Sequence, residues 1–400
     1  MMTGFKAIAS GTVTSPQGFK AGAVKAGIKS QSELDLAILC SEKPCVAAGV
    51  FTTTAIKSAP VILSQKHLKN KRSQAIVVNS GCANACTGDA GMADAVDMAR
   101  LVAEKLGLST EDVMVTSTGV IGIPLPMERV RAGIRQIVLT KEGGHELARA
   151  MMTTDTFSKE IALSVDSEAG KFTIGGVVKG AGMIHPNMAT MLCFLTTDAA
   201  VEAGFLQSAL RKTVEASFNM VTVDGDTSPS DTVLILANGL AGTEIINSRN
   251  GELFQQALDE VCLYLAKYMA RDGEGATKLI EVIVEGAFNE KQARLAARTI
   301  AGSPLFKAAV YGNDPNWGRI VAALGRSGAR VNEKKLEVYL NDVCVMKQGS
   351  PVPFDRQKLS AGLAKEVSVR LHLNLGRSKA VAWGCDLSEE YVTINSAYTS

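Results

Sequence analysis

Short apolar, β-branched runs alternate along the chain with stretches whose apolar residues recur every three or four positions. Runs bounded by turn residues predict strands at VAAGVF (46–51), AIVVN (75–79), DVMVT (112–116) and KFTIGGVV (171–178). The same pattern predicts strands at ATMLCFLTT (189–197), TVLILA (232–237) and LIEVIVEG (279–286). Helical spacing predicts helices over 91–106, 141–152, 203–216, 251–270, 289–300 and 317–325. In the first of these, Val96, Ala99, Leu101, Val102 and Leu106 fall near a 3.6-residue period and define its expected buried face. EVSVRLHLNL (366–375) alternates strictly. Val367, Val369, Leu371 and Leu373 face one way, and Ser368, Arg370, His372 and Asn374 the other. That predicts a half-buried antiparallel strand with His372 on its wet face. The mixture predicts an α/β protein of the α+β kind, in layers with antiparallel sheet. A polar stretch after a strand at GAFNEKQ (286–292) is the one boundary signal.

Length and charge narrow the class. Four hundred residues call for one large or two moderate domains. With 46% hydrophobic and 20% charged residues, the composition is that of a globular protein. The 42 basic and 40 acidic residues nearly cancel and form no basic run, which argues against nucleic acid as a partner. No apolar run approaches membrane-spanning length, and MMTGFKAIASGTV lacks the apolar core of a signal peptide. A cytoplasmic location is expected, with the eight cysteines reduced and mostly packed as small core residues. Cys82 and Cys86 have no second pair or nearby histidine to complete a metal site, so no metal is expected.

Candidate chemistry lies in seven loops rich in Gly, Asn, Ser and Thr: NSGCANACTG (79–88), TSTGVIG (116–122), MTTDT (152–156), KGAG (179–182), VDGDTSPSDT (223–232), RDGEGATK (271–278) and GNDPNWGR (312–319). That is more than connections require, and functional loops have this composition. Their turns offer backbone N–H groups to an anion or oxyanion. None has the spacing of a phosphate-binding or dinucleotide fingerprint. In KGAGMIHPNMATML (179–192), Ala189-Thr190 stands between a glycine loop and an apolar run. Thr190 is either a packing residue or a nucleophile. A threonine without a histidine partner can use its own α-amine as base, once the preceding peptide bond is cut. That amine's ordinary pKa, roughly 7.7–8.0, suits a general base near neutral pH. His185, four residues before Ala189, has no role legible in the sequence.

Taken with GVFTTTAIKSAPV (49–61), DGEGATKLI, GNDPNWGRI and the C-terminal NSAYTS, these loops resemble the ornithine acetyltransferase family of arginine biosynthesis, also called glutamate N-acetyltransferase. The resemblance spans nearly the whole chain, and KGAGM followed by ATML is its most specific part. Cys82, Thr54 and the PSD at 229–231 depart from the usual family residues and bear on loop packing rather than on a catalytic position.

The resemblance implies autoproteolysis between Ala189 and Thr190, giving chains 1–189 and 190–400. Thr190 is then the N-terminal nucleophile. Thr118 and Gly119 form the oxyanion hole, and Thr153, Lys179, Thr190, Glu274, Asn395 and Ser400 bind substrate. Within Thr153-Thr154, the motif is firmer than the choice of threonine. Lys179 suits an α-carboxylate and Glu274 the ornithine ammonium. The implied reaction moves an acetyl group from N-acetylornithine to glutamate by a ping-pong route without metal or organic cofactor. Acetyl-CoA is a second donor for some members. The resemblance also implies an α2β2 heterotetramer and a layered α/β/β/α main domain over 1–286, to which 391–400 returns, with a smaller α/β domain over 287–390. The alternatives are a self-processed amidase or aminopeptidase that passes the acyl group to water, and an uncleaved binding protein in which Thr190 is packing.

Overall fold

A computed structural model describes residues 4–29, 33–185 and 191–397. Its strands begin with β1 (Phe5–Ala7), β2 (Phe19–Val24), β3 (Leu36–Phe51), β4 (Arg72–Asn79), β5 (Val113–Ser117), β6 (Lys159–Ser167), β7 (Gly170–Lys179) and β8 (Leu192–Thr197). They continue with β9 (Val221–Thr222), β10 (Thr232–Ala237), β11 (Leu279–Ala287), β12 (Glu337–Leu340), β13 (Val343–Lys347), β14 (Ser350–Pro351), β15 (Glu366–His372) and β16 (Ser378–Cys385). Nine form one mixed sheet in the order β1-β6-β7-β8-β10-β3-β4-β5, with β2 also on β3. The other seven form a second sheet, β14-β13-β12-β15-β11-β16-β9. The protein is a mixed α/β structure.

β3 organises the large sheet. Its first half pairs with β4 and its second half with β10. Cys40 lies opposite Ala75 and Cys45 opposite Ser73, so residues 41–44 are a bulge, where Pro44 has no N–H to give a ladder. Ile76 and Val78 of β4 share a buried cluster with Leu192 and Phe194 of β8 and with Leu234 and Leu236 of β10. The sheet therefore turns back over its own face about β3. The outer face of β4 and β5 packs on the helices at Gly88–Leu106 and Met127–Gln136. The helices at Ala203–Ala216 and Glu252–Arg271 join the cluster formed by β6, β7 and β8. β8 and β10 are buried along their whole length and run parallel, as apolar strands covered on both faces do.

Several sequence expectations need correction. β3 starts at Leu36, ten residues before the expected 46–51, because the polar bulge interrupts its apolar pattern. β8 begins at Leu192 rather than 189. Val96 is 41% exposed; the helix buries the expected Ala99, Leu101 and Val102 together with Ala95 and Met98. β15 alternates as expected, with Val367, Val369 and Leu371 buried, but it is antiparallel only to β12 and runs parallel to β11. His372 sits half-buried beside Glu285, edge-on to Tyr339. β11, the strand before the 286–292 boundary signal, is held between β15 and β16 in the second sheet. Among the described residues no helix is long and apolar enough to cross a membrane.

Candidate active site

The first wall of the site is made where parallel β4 and β5 end side by side, Asn79 opposite Ser117. Asn79 is fully buried and ties the two following loops together. It accepts from Ser117 Oγ at 2.6 Å and donates through Nδ2 to the Cys82 carbonyl at 2.9 Å. Its own carbonyl accepts the Thr118 N–H at 3.0 Å, and the Val120 N–H donates to the Gly81 carbonyl at 3.3 Å. Gly119, between them, has φ +129°, and a Cβ there would stand 2.3 Å from the Gly81 carbonyl carbon. Only glycine fits. Because the Thr118 N–H is engaged, its hydroxyl and the Gly119 N–H are the donors this wall offers. Cys82 is buried with its thiol against the Ile123 carbonyl, whereas Cys86 is exposed.

The opposite wall is the end of β7. Lys179 lies across from Leu192 of antiparallel β8. It is 7% exposed, and its Nζ donates to Thr153 Oγ1 at 2.7 Å and to Thr118 Oγ1 at 3.4 Å. Both hydroxyls accept from the ammonium, so their own hydrogens remain for another acceptor. Thr153 and Thr154 both line the cavity, but Thr153 is the one that meets Lys179. Burial pulls the Lys179 pKa below its ordinary value, against the opposing pull of Asp155, Asp231 and Glu274.

Behind Lys179 lies a chain of buried charge. Asp155 Oδ1 accepts from Lys159 Nζ and from the Gly180 N–H, both at 2.7 Å, and its Oδ2 accepts the Thr153 N–H at 3.0 Å. Lys159 is fully buried and also meets Asp272 Oδ2 at 2.5 Å. Burial opposes ionisation of Asp155, but Lys159 and Lys179 override it and hold the carboxyl well below the usual range.

Glu274 comes from the loop before β11 and is 8% exposed. A Cβ on Gly182 would lie 2.3 Å from its carboxylate, so the glycine makes room for that group. Asn395, on the helix Glu389–Ala397, donates to Glu274 Oε2 at 2.7 Å. The chain reaches this point because β16 pairs with β11 and the segment after β16 is tied down. Asp386 accepts from the Thr277 and Lys278 N–H groups, and Ser388 Oγ donates to the Gly275 carbonyl at 2.6 Å.

The segment preceding residue 186 is pinned to the 223–232 loop. Asp224 accepts the Met183 and Ile184 N–H groups at 2.6 and 2.9 Å. His185 Nδ1 meets Thr222 Oγ1 at 2.9 Å. Burial and the nearby Arg298 bring the His185 pKa down to about 4. His185 is thus a neutral anchor at working pH, an account its sequence position did not supply.

Thr118, Gly119, Thr153, Lys179, Glu274 and Asn395 line one cavity. Ala189, Thr190 and Ser400 lie outside the described residues. Met191, the residue after Thr190 in sequence, lines the same cavity, as do Ser230 and Asp231. Sequence reasoning missed Asp155, Lys159 and Asp272. Asp155 and Asp272 lie within the candidate loops MTTDT and RDGEGATK without standing out there, and charged residues at the four-residue spacing of Asp155 and Lys159 are usually solvated.

Residues 20–400 match the ArgJ family. The arginine biosynthesis bifunctional protein ArgJ of Dehalococcoides mccartyi is 54% identical over 405 residues, covering 100% of both chains. That of Symbiobacterium thermophilum is 52% identical over 396 residues, covering 97% of this chain and 98% of its own. A solved ornithine acetyltransferase from Mycobacterium tuberculosis, complexed with ornithine, is 42% identical with a TM-score of 0.44, covering 46% of this chain and 100% of its own. The match to these arginine biosynthesis proteins runs over nearly the whole length of the chain. The chain belongs to the ArgJ family.

Proposed function

We propose that the protein cuts itself between Ala189 and Thr190 and then moves acetyl from N-acetylornithine to glutamate. The observation that carries this reading is the convergence on one cavity of Thr118, Gly119, Thr153, Lys179, Glu274 and Asn395, with Met191 beside them. Thr190 Oγ attacks the acetyl carbonyl while the Thr190 α-amine takes its proton. The Oγ–acetyl bond forms and the C–N bond to ornithine breaks, with that proton passing to the leaving amine. The Thr118 hydroxyl and the Gly119 N–H receive the oxyanion. Glutamate then enters, its neutral α-amine attacks the ester carbonyl, the Oγ–acetyl bond breaks as the new C–N bond forms, the amine's proton returns to Thr190 Oγ through the Thr190 α-amine, and N-acetylglutamate leaves. Lys179 holds the α-carboxylate common to both substrates. Glu274, braced by Asn395, takes the ornithine ammonium. An acyl-enzyme splits one hard amide exchange into two similar steps.

The remaining family expectations form part of the same proposal: Ser400 at the substrate, an α/β/β/α main domain with a smaller domain after 286, and an α2β2 assembly. Sizing of the native protein at twice the chain mass of 42.1 kDa supports the assembly, and a monomer rules it out.

Incubation with N-acetylornithine and glutamate tests the reaction. N-acetylglutamate appearing in step with ornithine is expected; release of acetate alone replaces the transferase with an amidase. Acetyl-CoA as a second donor is tested in the same assay. Glu274→Gln is expected to raise KM for N-acetylornithine by about 10- to 100-fold, the worth of one charge-assisted contact. The glutamate half-reaction should change far less, since glutamate brings no side-chain ammonium. Equal losses in both halves would remove Glu274 from this role.

A further inference from the structure

Lys179, Asp155, Lys159 and Asp272 form a buried series of alternating charge that runs from the cavity to the loop before β11. Asp155 pairs with Lys159 at 2.7 Å and is tied to Lys179 through Thr153, whose N–H it accepts at 3.0 Å and whose hydroxyl accepts from Lys179 Nζ at 2.7 Å. Lys159 carries two negative ones, Asp155 and Asp272. The side chains of Asp155 and Lys159 are 0% exposed and that of Asp272 is 2% exposed, so water screens little here. Asp272 is not part of the cavity wall around Lys179. It also accepts the Thr156 N–H at 3.1 Å.

We propose that Asp272 is a positioning residue for acetyl transfer: by neutralising Lys159 from behind, it leaves Asp155 as the counterion of Lys179 and keeps that ammonium charged. The inference rests on the reading of Lys179 as the α-carboxylate site. The other charges facing Lys179 are Asp231, Glu274 and, from the 27–29 loop, Lys29, which Glu33 and Asp35 balance. None of these changes when Asp272 is replaced. With Asp272 neutral, Lys159 draws on Asp155 alone, and Lys179 faces an uncompensated cation in a desolvated site. Its proton is then lost at lower pH.

The test is the pH profile of kcat/KM for N-acetylornithine in the cleaved protein. Asp272→Asn keeps an acceptor for Thr156 and removes the charge. Its alkaline limb is expected to fall by about one pH unit, with the acid limb unmoved. Adding Lys159→Met removes the competing cation, and the limb is expected to return. A packing role for Asp272 instead predicts a loss uniform in pH that Lys159→Met deepens. An unmoved alkaline limb in folded Asp272→Asn, or no return in the double variant, overturns the proposal. Should Asp272→Asn not fold, the unaltered protein with 13C-labelled lysine gives a second measure. A Lys179 ε-carbon that stays in its charged form to pH 9 supports the proposal, and titration near pH 7 overturns it. Lys179→Met separates the two readings. If its KM rises while the Asp272→Asn limb stays put, only this inference falls; if its KM is unchanged, the carboxylate reading falls and this one with it.

Discussion

Thr190→Ala is expected to leave a single band near 42.1 kDa on a denaturing gel and to abolish acetyl transfer, with kcat falling by at least about 10⁴-fold. The alanine removes the hydroxyl that opens the Ala189–Thr190 bond and, with it, the event that frees the α-amine. Nothing else on the described wall takes over. The other hydroxyls that line the cavity, those of Thr118, Thr153, Thr154, Ser228 and Ser230, have no α-amine of their own to act as base, and the described lining includes no histidine or cysteine. Thr190→Ser keeps hydroxyl and amine and is expected both to cut and to transfer. Cleavage that persists in Thr190→Ala, or transfer that persists without cleavage, would remove the nucleophile assignment.

Thr118→Val is expected to lower kcat by about 10²–10³ with little change in KM. The substitution is close to isosteric, and it spares the N–H donated to the Asn79 carbonyl that fixes the loop. Lys179 keeps Thr153 Oγ1 at 2.7 Å and loses only the longer contact. What disappears is one donor aimed at charge that develops on the way to the tetrahedral intermediate. Such a donor acts on the transition state more than on the bound substrate. A raised KM at unchanged kcat would make Thr118 a ground-state binding residue and leave Gly119 alone as the oxyanion donor.

Much of the scaffold was legible because it is local. TVLILA is β10 to the residue, and the helices at 203–216 and 317–325 have the expected bounds. In these segments burial and periodicity agree. Where a tertiary demand opposed the pattern, legibility failed. The bulge at 41–44 hid the length of β3, and Val96 fits the helical period yet faces solvent because the neighbouring alanines take the core. The candidate residues were named from motif resemblance, and each named residue that is described stands at one cavity.

The chain by itself determined which short segments are strands and helices, which loops carry small polar residues, and that Thr190 comes after a glycine loop. These features arise from side-chain size, β-branching and periodicity over a few residues. Only the tertiary structure decided that residues from 118 to 395 meet at one place, since β-pairing closes loops of more than a hundred residues to bring them there. Only it decided that Thr118 offers its hydroxyl rather than its N–H, because Asn79 takes the N–H. And only it placed Asp155 and Asp272, far apart in sequence, on either side of the buried Lys159. Charge matters so strongly there because the fold has removed the water, a condition that no local stretch of sequence records.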